Sequence, residues 1–398
     1  MSGSIGSRPV PMMWIMERAA SRPAPARTPR WSGAGHSRDR DPELAGRNAA
    51  LEAVGGRPDA ALLLVFAPCG ADLHAVLAGV GSVAGDAPVA GMAGGGQLAA
   101  EGAFEDAVVV VALGGDDLQV SLSVGVEETP RDAGAVAAAA VGDLDTPHRA
   151  LLLLADDSVD DHVEVARGAY SVAGAGIPIA GGLSGPAGAV LCGRGVHRSA
   201  ALGIALGSND PIGIGFGHGL EAVGEPMLAT RVSGARLLEL DGRPAIEVLA
   251  ERLGRKLAPG AENAQPLGLH RHDDRWQVRC AMADERTERD GSLRCLVPEG
   301  APLWVMEGSR ETALAATDAA CGHALAALSG AKPRALLLFD CVARSAALGE
   351  DGLAREVACA TRWADGAAVA GVLTVGEFAR TVGPAGLHHS TIVAVAIA

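Results

Sequence analysis

Ala61-Leu62-Leu63-Leu64-Val65-Phe66, Ala150-Leu151-Leu152-Leu153-Leu154-Ala155 and Ala335-Leu336-Leu337-Leu338-Phe339-Asp340 are nearly the same stretch met three times in one chain. Each is an unbroken apolar run of strand length, entered from Arg57-Pro58, His148-Arg149 or Pro333-Arg334. Downstream of each run lies an alanine-rich stretch of helical period. A second strand follows, ending in Ala-Gly: Val89-Ala90-Gly91, Ile179-Ala180-Gly181 and Val369-Ala370-Gly371. A third strand closes each unit, at 108–113, 201–206 and 392–397. The same features in the same order three times are an internal repeat. The fold class they predict is α/β, with two domains of mixed sheets built from three related β-α-β-β units.

Each second strand runs into a glycine break: Gly91-Met92-Ala93-Gly94-Gly95-Gly96, Gly181-Gly182-Leu183-Ser184-Gly185 and Gly371-Val372-Leu373-Thr374-Val375-Gly376-Glu377. Such breaks bring bare backbone to a sheet edge, where ligands tend to sit. The expectation is that the three breaks line a cleft, with Gly91, Gly181, Gly182, Gly371 and Gly376 at its wall. The alternative for any one loop is that its glycines only permit a positive φ or a bulge.

Composition narrows the function classes. A chain of 398 residues exceeds one ordinary core. Hydrophobic residues make up 48% but aromatics only 3%, so base stacking has few platforms. The net charge of −14 opposes phosphate backbones and anionic lipid. Neither nucleic acid nor membrane insertion is therefore expected. The seven cysteines form an odd set without C-x-x-C spacing, which points to a reduced, cytoplasmic setting.

Residues 1–45 are rich in Arg, Pro, Ser and Gly and are expected to be a disordered tail, removable as far as residue 40 with Tm nearly unchanged, while a helix is expected from about Pro42 to Val54 before the first repeat. A first domain is expected over 46–207 and a second over 208–398. Within the first, the acidic turn Gly114-Gly115-Asp116-Asp117 predicts a hairpin joining the strand at 108–113 to one at 120–126. Past residue 208 glycine occupies every second place from Gly213 to Gly219, a spacing unlike the dinucleotide fingerprint. A hairpin over 227–240, a helix over 245–253, strands near 276–282 and 303–307, and a helix over 311–328 lead to the third repeat.

Signatures of catalysis and of cofactor binding are missing. Gly182-Leu183-Ser184-Gly185-Pro186 lacks the second glycine of a nucleophile elbow, and there is no His-Glu-x-x-His, no phosphate-loop lysine and no zinc-type cysteine pair. No cofactor or metal is therefore expected. Asp156, Asp157, Asp160, Asp161 and His162 sit at a helix start, where acidic residues complement the dipole in any case. Phe339-Asp340-Cys341-Val342-Ala343-Arg344 places a thiol and a guanidinium at the end of a strand. Arg344 could clamp a carboxylate, with Cys341 lowered in pKa beside it and Glu377 nearby to read an amino group. A second reading makes Cys341 or Cys69 the nucleophile of a hydrolase or transferase, which requires a base such as His218, His388 or His389 within reach. A third makes the repeats a scaffold that binds no ligand.

Phe339-x-Cys341-x-x-Arg344, Ala370-Gly371 with Val375-Gly376-Glu377-Phe378, and His388-x-x-Thr391 together resemble the C-terminal signature of FIST domain proteins. Gly217-His218-Gly219 with Val223-Gly224, and Glu239-Leu240-Asp241-Gly242-x-Pro244-Ala245, resemble the start of the same domain. Ala90-Gly91 through Gly96 and Ile179-Ala180-Gly181-Gly182 resemble the glycine strands of the FIST N-terminal domain. The resemblance spans about residues 46 to 398. It implies a cytoplasmic sensory module that binds a small molecule, such as an amino acid or related carboxylate, and acts through a separate signalling output protein. Met92 stands where a cysteine is common, His389 where asparagine is common, and Gln97 offers no charged anchor, so the ligand is expected to differ from that of relatives.

Overall fold

The computed structural model describes residues 28–126, 129–159, 161–260, 263–270, 276–380 and 386–398. Three units follow one another. The first comprises β1 (Trp31–Ser37), α1 (Pro42–Val54), β2 (Ala60–Pro68), α2 (Leu73–Ala84), β3 (Val89–Gly94), β4 (Gln97–Ala99), β5 (Gly102–Phe104) and β6 (Val108–Gly114). The second comprises β7 (Leu118–Gly125), α3 (Pro130–Ala138), β8 (His148–Ala155), α4 (His162–Ala173), β9 (Ile179–Leu183), β10 (Val190–Cys192), β11 (Gly195–His197) and β12 (Ala201–Ser208). The third opens with β13 (Ile212–Gly217). An insertion then intervenes: β14 (Glu221–Ser233), β15 (Arg236–Leu240), β16 (Arg243–Pro244), α5 (Ala245–Leu253), β17 (Gln265–His270), β18 (Trp276–Ala281), α6 (Thr287–Asp290), β19 (Leu293–Arg294) and β20 (Pro302–Glu307). The unit resumes with α7 (Arg310–Ala326), β21 (Ala335–Cys341), α8 (Val342–Ala364), β22 (Ala368–Thr374), β23 (Glu377–Arg380), β24 (Leu387–His388) and β25 (Ile392–Ile397).

The four sheets are mixed or antiparallel, and three of them share one plan. Their orders are β1-β6-β2-β3-β10-β11, β7-β12-β8-β9-β23-β24 and β13-β25-β21-β22-β4-β5. Within each, the repeated apolar strand and the Ala-Gly strand after it (β2 and β3, β8 and β9, β21 and β22) pair parallel across an intervening helix, while the closing strand (β6, β12 or β25) pairs antiparallel with the apolar one. The outer hairpin of each sheet comes from another unit. Unit 2 lends β10-β11 to unit 1, unit 3 lends β23-β24 to unit 2, and unit 1 lends β4-β5 to unit 3. The exchange closes a ring, so hydrogen bonding crosses the division expected at residues 207 and 208. The inserted sheet runs β16-β15-β14-β20-β17-β18, with β19 on β15, and packs on α5.

The sheet plan explains the unbroken apolar runs. Leu62, Leu64, Phe66, Leu152, Leu154, Leu337 and Phe339 face a common centre, where Phe66 and Phe339 meet edge to face at 6.1 Å. The alternate residues Leu63 and Val65, Leu151 and Leu153, and Leu336 and Leu338 face separate helix layers. A strand buried on both faces needs no polar alternation.

Two expectations are corrected. Residues 31–45 of the supposed tail are ordered, since β1 pairs with β6 along its whole length and α1 begins at Pro42, capped by the Asp41 carboxylate. Arg30 adds an anchor, donating to Ser208 Oγ at 2.7 Å, to Asp117 and to the Ala398 carbonyl. Residues 1–27 lie outside the described residues. The hairpin expected between 108–113 and 120–126 does not form either. Both edges of β6 are filled by β1 and β2, so β7 crosses to the free edge of β12. The alternate glycines of β13 have a packing cause: a Cβ at Gly213 or Gly215 would lie 1.9 or 2.0 Å from a carbonyl oxygen of α7.

Candidate functional site

The glycine breaks do converge, but on one another. Gly95 N donates to Leu373 O at 2.9 Å and Leu373 N to Gly96 O at 2.8 Å. Leu183 N donates to Gly376 O at 2.8 Å, and Ala93 N to Ala189 O at 3.0 Å. The second-strand glycines sit at equivalent places: Gly91 opposite Val65, Gly181 opposite Leu153 and Gly371 opposite Leu338. A Cβ there would come within 1.9, 2.0 or 2.4 Å of the partner's carbonyl oxygen. Close approach of neighbouring strands thus accounts for these three glycines.

The open space lies beside this ring, where the insertion leans on units 2 and 3. A cavity of about 240 Å³ is bounded by Cys280 and Met282 at the end of β18, by Arg294, Cys295 and Leu296 at β19, and by Cys341, Val342 and Ala343 at the β21–α8 junction. Leu183, Pro186, Asp157 and His162 from unit 2, with Val375 and His389 from unit 3, complete the wall. This is far more than one water needs (~10–15 Å³) yet below the roughly 300–1,000 Å³ of a drug-sized site, which suits a small metabolite.

Of the eight residues expected to bind a ligand, only Cys341 lines this cavity. Val375 and Leu183, neighbours of Gly376 and Gly182, line it in their place. Arg344 is turned inward and nearly fully buried. Its Nε donates to Asp340 Oδ1 at 2.9 Å, and its Nη2 donates to Ala313 O, to Thr317 Oγ1 and to Glu356. Its charge is consumed by two internal carboxylates. Burial, with Glu356 adding repulsion, holds Asp340 well above the usual carboxylate range despite Arg344.

Glu377 is fully buried, accepting from Thr374 Oγ1 at 2.7 Å and from Thr391 N at 3.3 Å. Burial pushes its pKa up to about 8, so at neutral pH the folded protein mostly holds it protonated. The lowered pKa expected for Cys341 is not found. Burial and the neighbouring Glu377 and Cys280 raise it well above the ordinary thiol value, and burial raises Cys69 too. Nucleophilic use of either thiol needs the opposite shift.

The cavity's polar groups are of two kinds. Arg294 Nη2 and Asp157 Oδ1 form an ion pair at 3.1 Å, with the Arg294 side chain 43% exposed. His389 is buried, its Nδ1 has no hydrogen-bond partner, and burial together with nearby Arg279 holds it well below the usual imidazole pKa. It is therefore a neutral ring with an unused nitrogen at the cavity wall. The other two histidines weighed as a base are placed differently: His388 packs its ring on Phe216, and His218 Nδ1 accepts from Leu220 N at 2.9 Å.

The acidic cluster at α4 also separates by role. Asp156 accepts from Ser184 Oγ, Ser158 Oγ and Ser199 N, while Asp161 caps α4. Among the described residues of the cluster only Asp157 and His162 face the cavity, and Asp160 lies outside the described residues. Arg294, Cys280 and Cys295 escaped sequence reasoning, because they come from an insertion that has no counterpart in the other units. The one available signal was the cysteine count, and it carries no spacing.

Comparison with known proteins bears on the whole arrangement. Residues 61–243 match the FIST N domain and residues 245–380 the FIST C domain. No curated protein matches the chain. Among solved structures, cyanuric acid hydrolase from A. caulinodans is similar over 45% of this chain and 71% of its own, at 14% identity and a TM-score of 0.27. A second cyanuric acid hydrolase structure is similar over 48% of this chain and 71% of its own, at 15% identity and a TM-score of 0.26.

Proposed function

The chain belongs to the FIST family, and on that premise we propose that it is a small-ligand sensor whose ligand occupies the cavity between the insertion and units 2 and 3. The observation that carries this reading is the pairing, on one small and mostly apolar cavity, of Arg294 with Asp157 and of an unpartnered His389 nitrogen. A guanidinium beside a carboxylate is a reader for a zwitterion. The ligand's carboxylate docks on Arg294, its ammonium on Asp157, and its side chain among Leu183, Met282 and Val375. An amino acid or related small carboxylate fits this description. Arg294 takes the anchoring role first expected of Arg344. The bound state is read by a separate signalling protein.

A thermal-shift screen with the proteinogenic amino acids and small carboxylates tests the reading, because a ligand that binds only the folded state raises Tm with concentration. At least one zwitterion is expected to give a dose-dependent rise, and Arg294→Ala is expected to abolish most of it. A rise unchanged in that variant, or none across the panel, contradicts the assignment.

A further inference from the structure

Among the described residues, His389 is the one side chain on the cavity wall with a buried nitrogen that has no hydrogen-bond partner. The backbone fixes its place. His389 N donates to Val278 O on β18 at 3.1 Å, and His389 O accepts from Thr391 Oγ1 at 2.9 Å. The ring lies against bare backbone at Gly376, where a Cβ would come within 3.1 Å of its Cδ2 and Nε2. Burial keeps the imidazole neutral, so one ring nitrogen carries a proton and the other accepts one.

The remaining polar side chains of the wall are already engaged. Arg294 pairs with Asp157, Asp284 accepts from Arg236, and His162 Nε2 lies 3.3 Å from Asp156 O. The rest of the wall is apolar or sulfur-bearing, from Leu183 and Val375 to Met282 and Cys280. Once Arg294 and Asp157 hold the ends of a zwitterion, a charged side chain finds no free counter-charge here. A wholly apolar one leaves the His389 nitrogen unsatisfied. A hydroxyl both donates and accepts, and so meets either tautomer.

We propose that the ligand is a zwitterion whose side chain carries a hydroxyl, and that His389 is the residue that selects it. The inference rests on the ligand site proposed above and narrows the chemistry of its occupant. Carboxylate and ammonium dock on Arg294 and Asp157, and the hydroxyl meets the imidazole. An analogue with a methyl group in place of the hydroxyl has nearly the same shape and still enters, so the preference is that of one neutral hydrogen bond, about three- to tenfold in affinity.

The test is calorimetric titration of the full chain with pairs of amino acids in which a methyl replaces the hydroxyl: threonine and valine, serine and 2-aminobutyrate, homoserine and norvaline. In at least one pair the hydroxyl member is expected to bind about three- to tenfold more tightly. His389→Phe keeps a ring but has no nitrogen, and brings that ratio to about one. His389→Asn places its amide as many bonds from Cα as Nδ1 and keeps the preference. The wild-type ratios need no variant, so a folding defect in His389→Phe does not remove the test. Equal or tighter binding of the methyl member in every pair, or a preference that persists in His389→Phe, overturns this inference and leaves the proposed function standing. Binding by no zwitterion at all overturns both.

Discussion

The second and third units place different chemistry on the same backbone. Gly181 lies opposite Leu153 and Gly371 opposite Leu338, so Ala155-Asp156 and Asp340-Cys341 are equivalent strand ends. After the donated hairpin, Ser199 and Ser390 both take positive φ, at 48° and 50°. Ser199 N donates to Asp156 Oδ2 at 2.6 Å, while the Ser390 backbone faces the Cys341 sulfur at the equivalent place. In unit 2 the acceptor is a carboxylate whose capacity is filled by hydroxyls and backbone. In unit 3 it is a thiol with room beside it, and the insertion roofs that room to make the cavity. One residue earlier the contrast inverts. Unit 2 has Ala155 and, four residues on, Val159; unit 3 has Asp340 and Arg344 in a buried ion pair. Repetition built the scaffold, and the side chain at one strand end decides whether that end is filled, as at Asp156, or borders the cavity, as at Cys341.

The largest effect tests whether the units are equivalent at the level of sheets. If β1 is the counterpart of β7 and β13, deleting residues 1–40 removes an edge strand and the Arg30 anchor. Tm then falls by on the order of 10 °C or more. A deletion variant that melts like the full chain breaks the equivalence.

Next in size is the buried charge cluster. Arg344→Met leaves Asp340 and Glu356 without a counter-charge, at a cost of about 3–5 kcal/mol in denaturant unfolding. A triple variant, Asp340→Ala, Arg344→Val and Glu356→Leu, copies the apolar solution of unit 2 and recovers most of that loss. If Arg344→Met is as stable as the wild type, the structural role assigned to Arg344 is wrong. Asp156→Ala strips the acceptor from Ser199 N and from two serine hydroxyls, and is expected to cost ~1.5–3 kcal/mol. Cys341→Ala should cost less. The reverse order, measured the same way, contradicts the division into a structural and an open site.

A smaller effect follows from Glu377. Its folded pKa of about 8 lies above its ordinary value of 4.5. The folded state keeps a proton that the unfolded chain has released, so this contribution to stability is full below about pH 4.5. It is lost as pH rises through about 8. Glu377→Gln keeps an acceptor for Thr374 and removes the titration. Melting curves from pH 6 to 9 should therefore show wild type losing a few degrees relative to the variant, and parallel curves would show that Glu377 is not buried as described.

Much of the scaffold was legible because it is periodic. The runs at Leu62, Leu151 and Leu336 announced themselves by being apolar on both faces, and the Ala-Gly pairs by sitting where neighbouring strands approach most closely. What sequence could not convey was pairing between units. No local property of Gln97-Leu98-Ala99 says that it will hydrogen-bond to Ala370-Gly371-Val372 in another unit. The glycine breaks consequently read as an open cleft, whereas their backbones satisfy one another. The site was half legible. Cys341, which lines the cavity, was singled out because it ends a repeated strand, but the inward turn of Arg344 was not foreseen, since its partner Glu356 lies along a helix whose inward face spacing alone does not assign. Arg294 and Cys280 belong to an insertion with no repeat to compare against.

The most direct test compares two arginines at two seams. Arg294 faces the cavity between units 2 and 3, whereas Arg198 caps backbone at the seam of units 1 and 2, donating to Ala187 O and Gly188 O. Calorimetric titration of Arg294→Ala and Arg198→Ala with the amino acid that gives the largest thermal shift separates them. The account predicts a ten- to a hundredfold loss of affinity in Arg294→Ala, about 1.5–3 kcal/mol for a charge-assisted contact, and little change in Arg198→Ala. Wild-type affinity in Arg294→Ala would contradict it, most plainly if Arg198→Ala lost binding in its place.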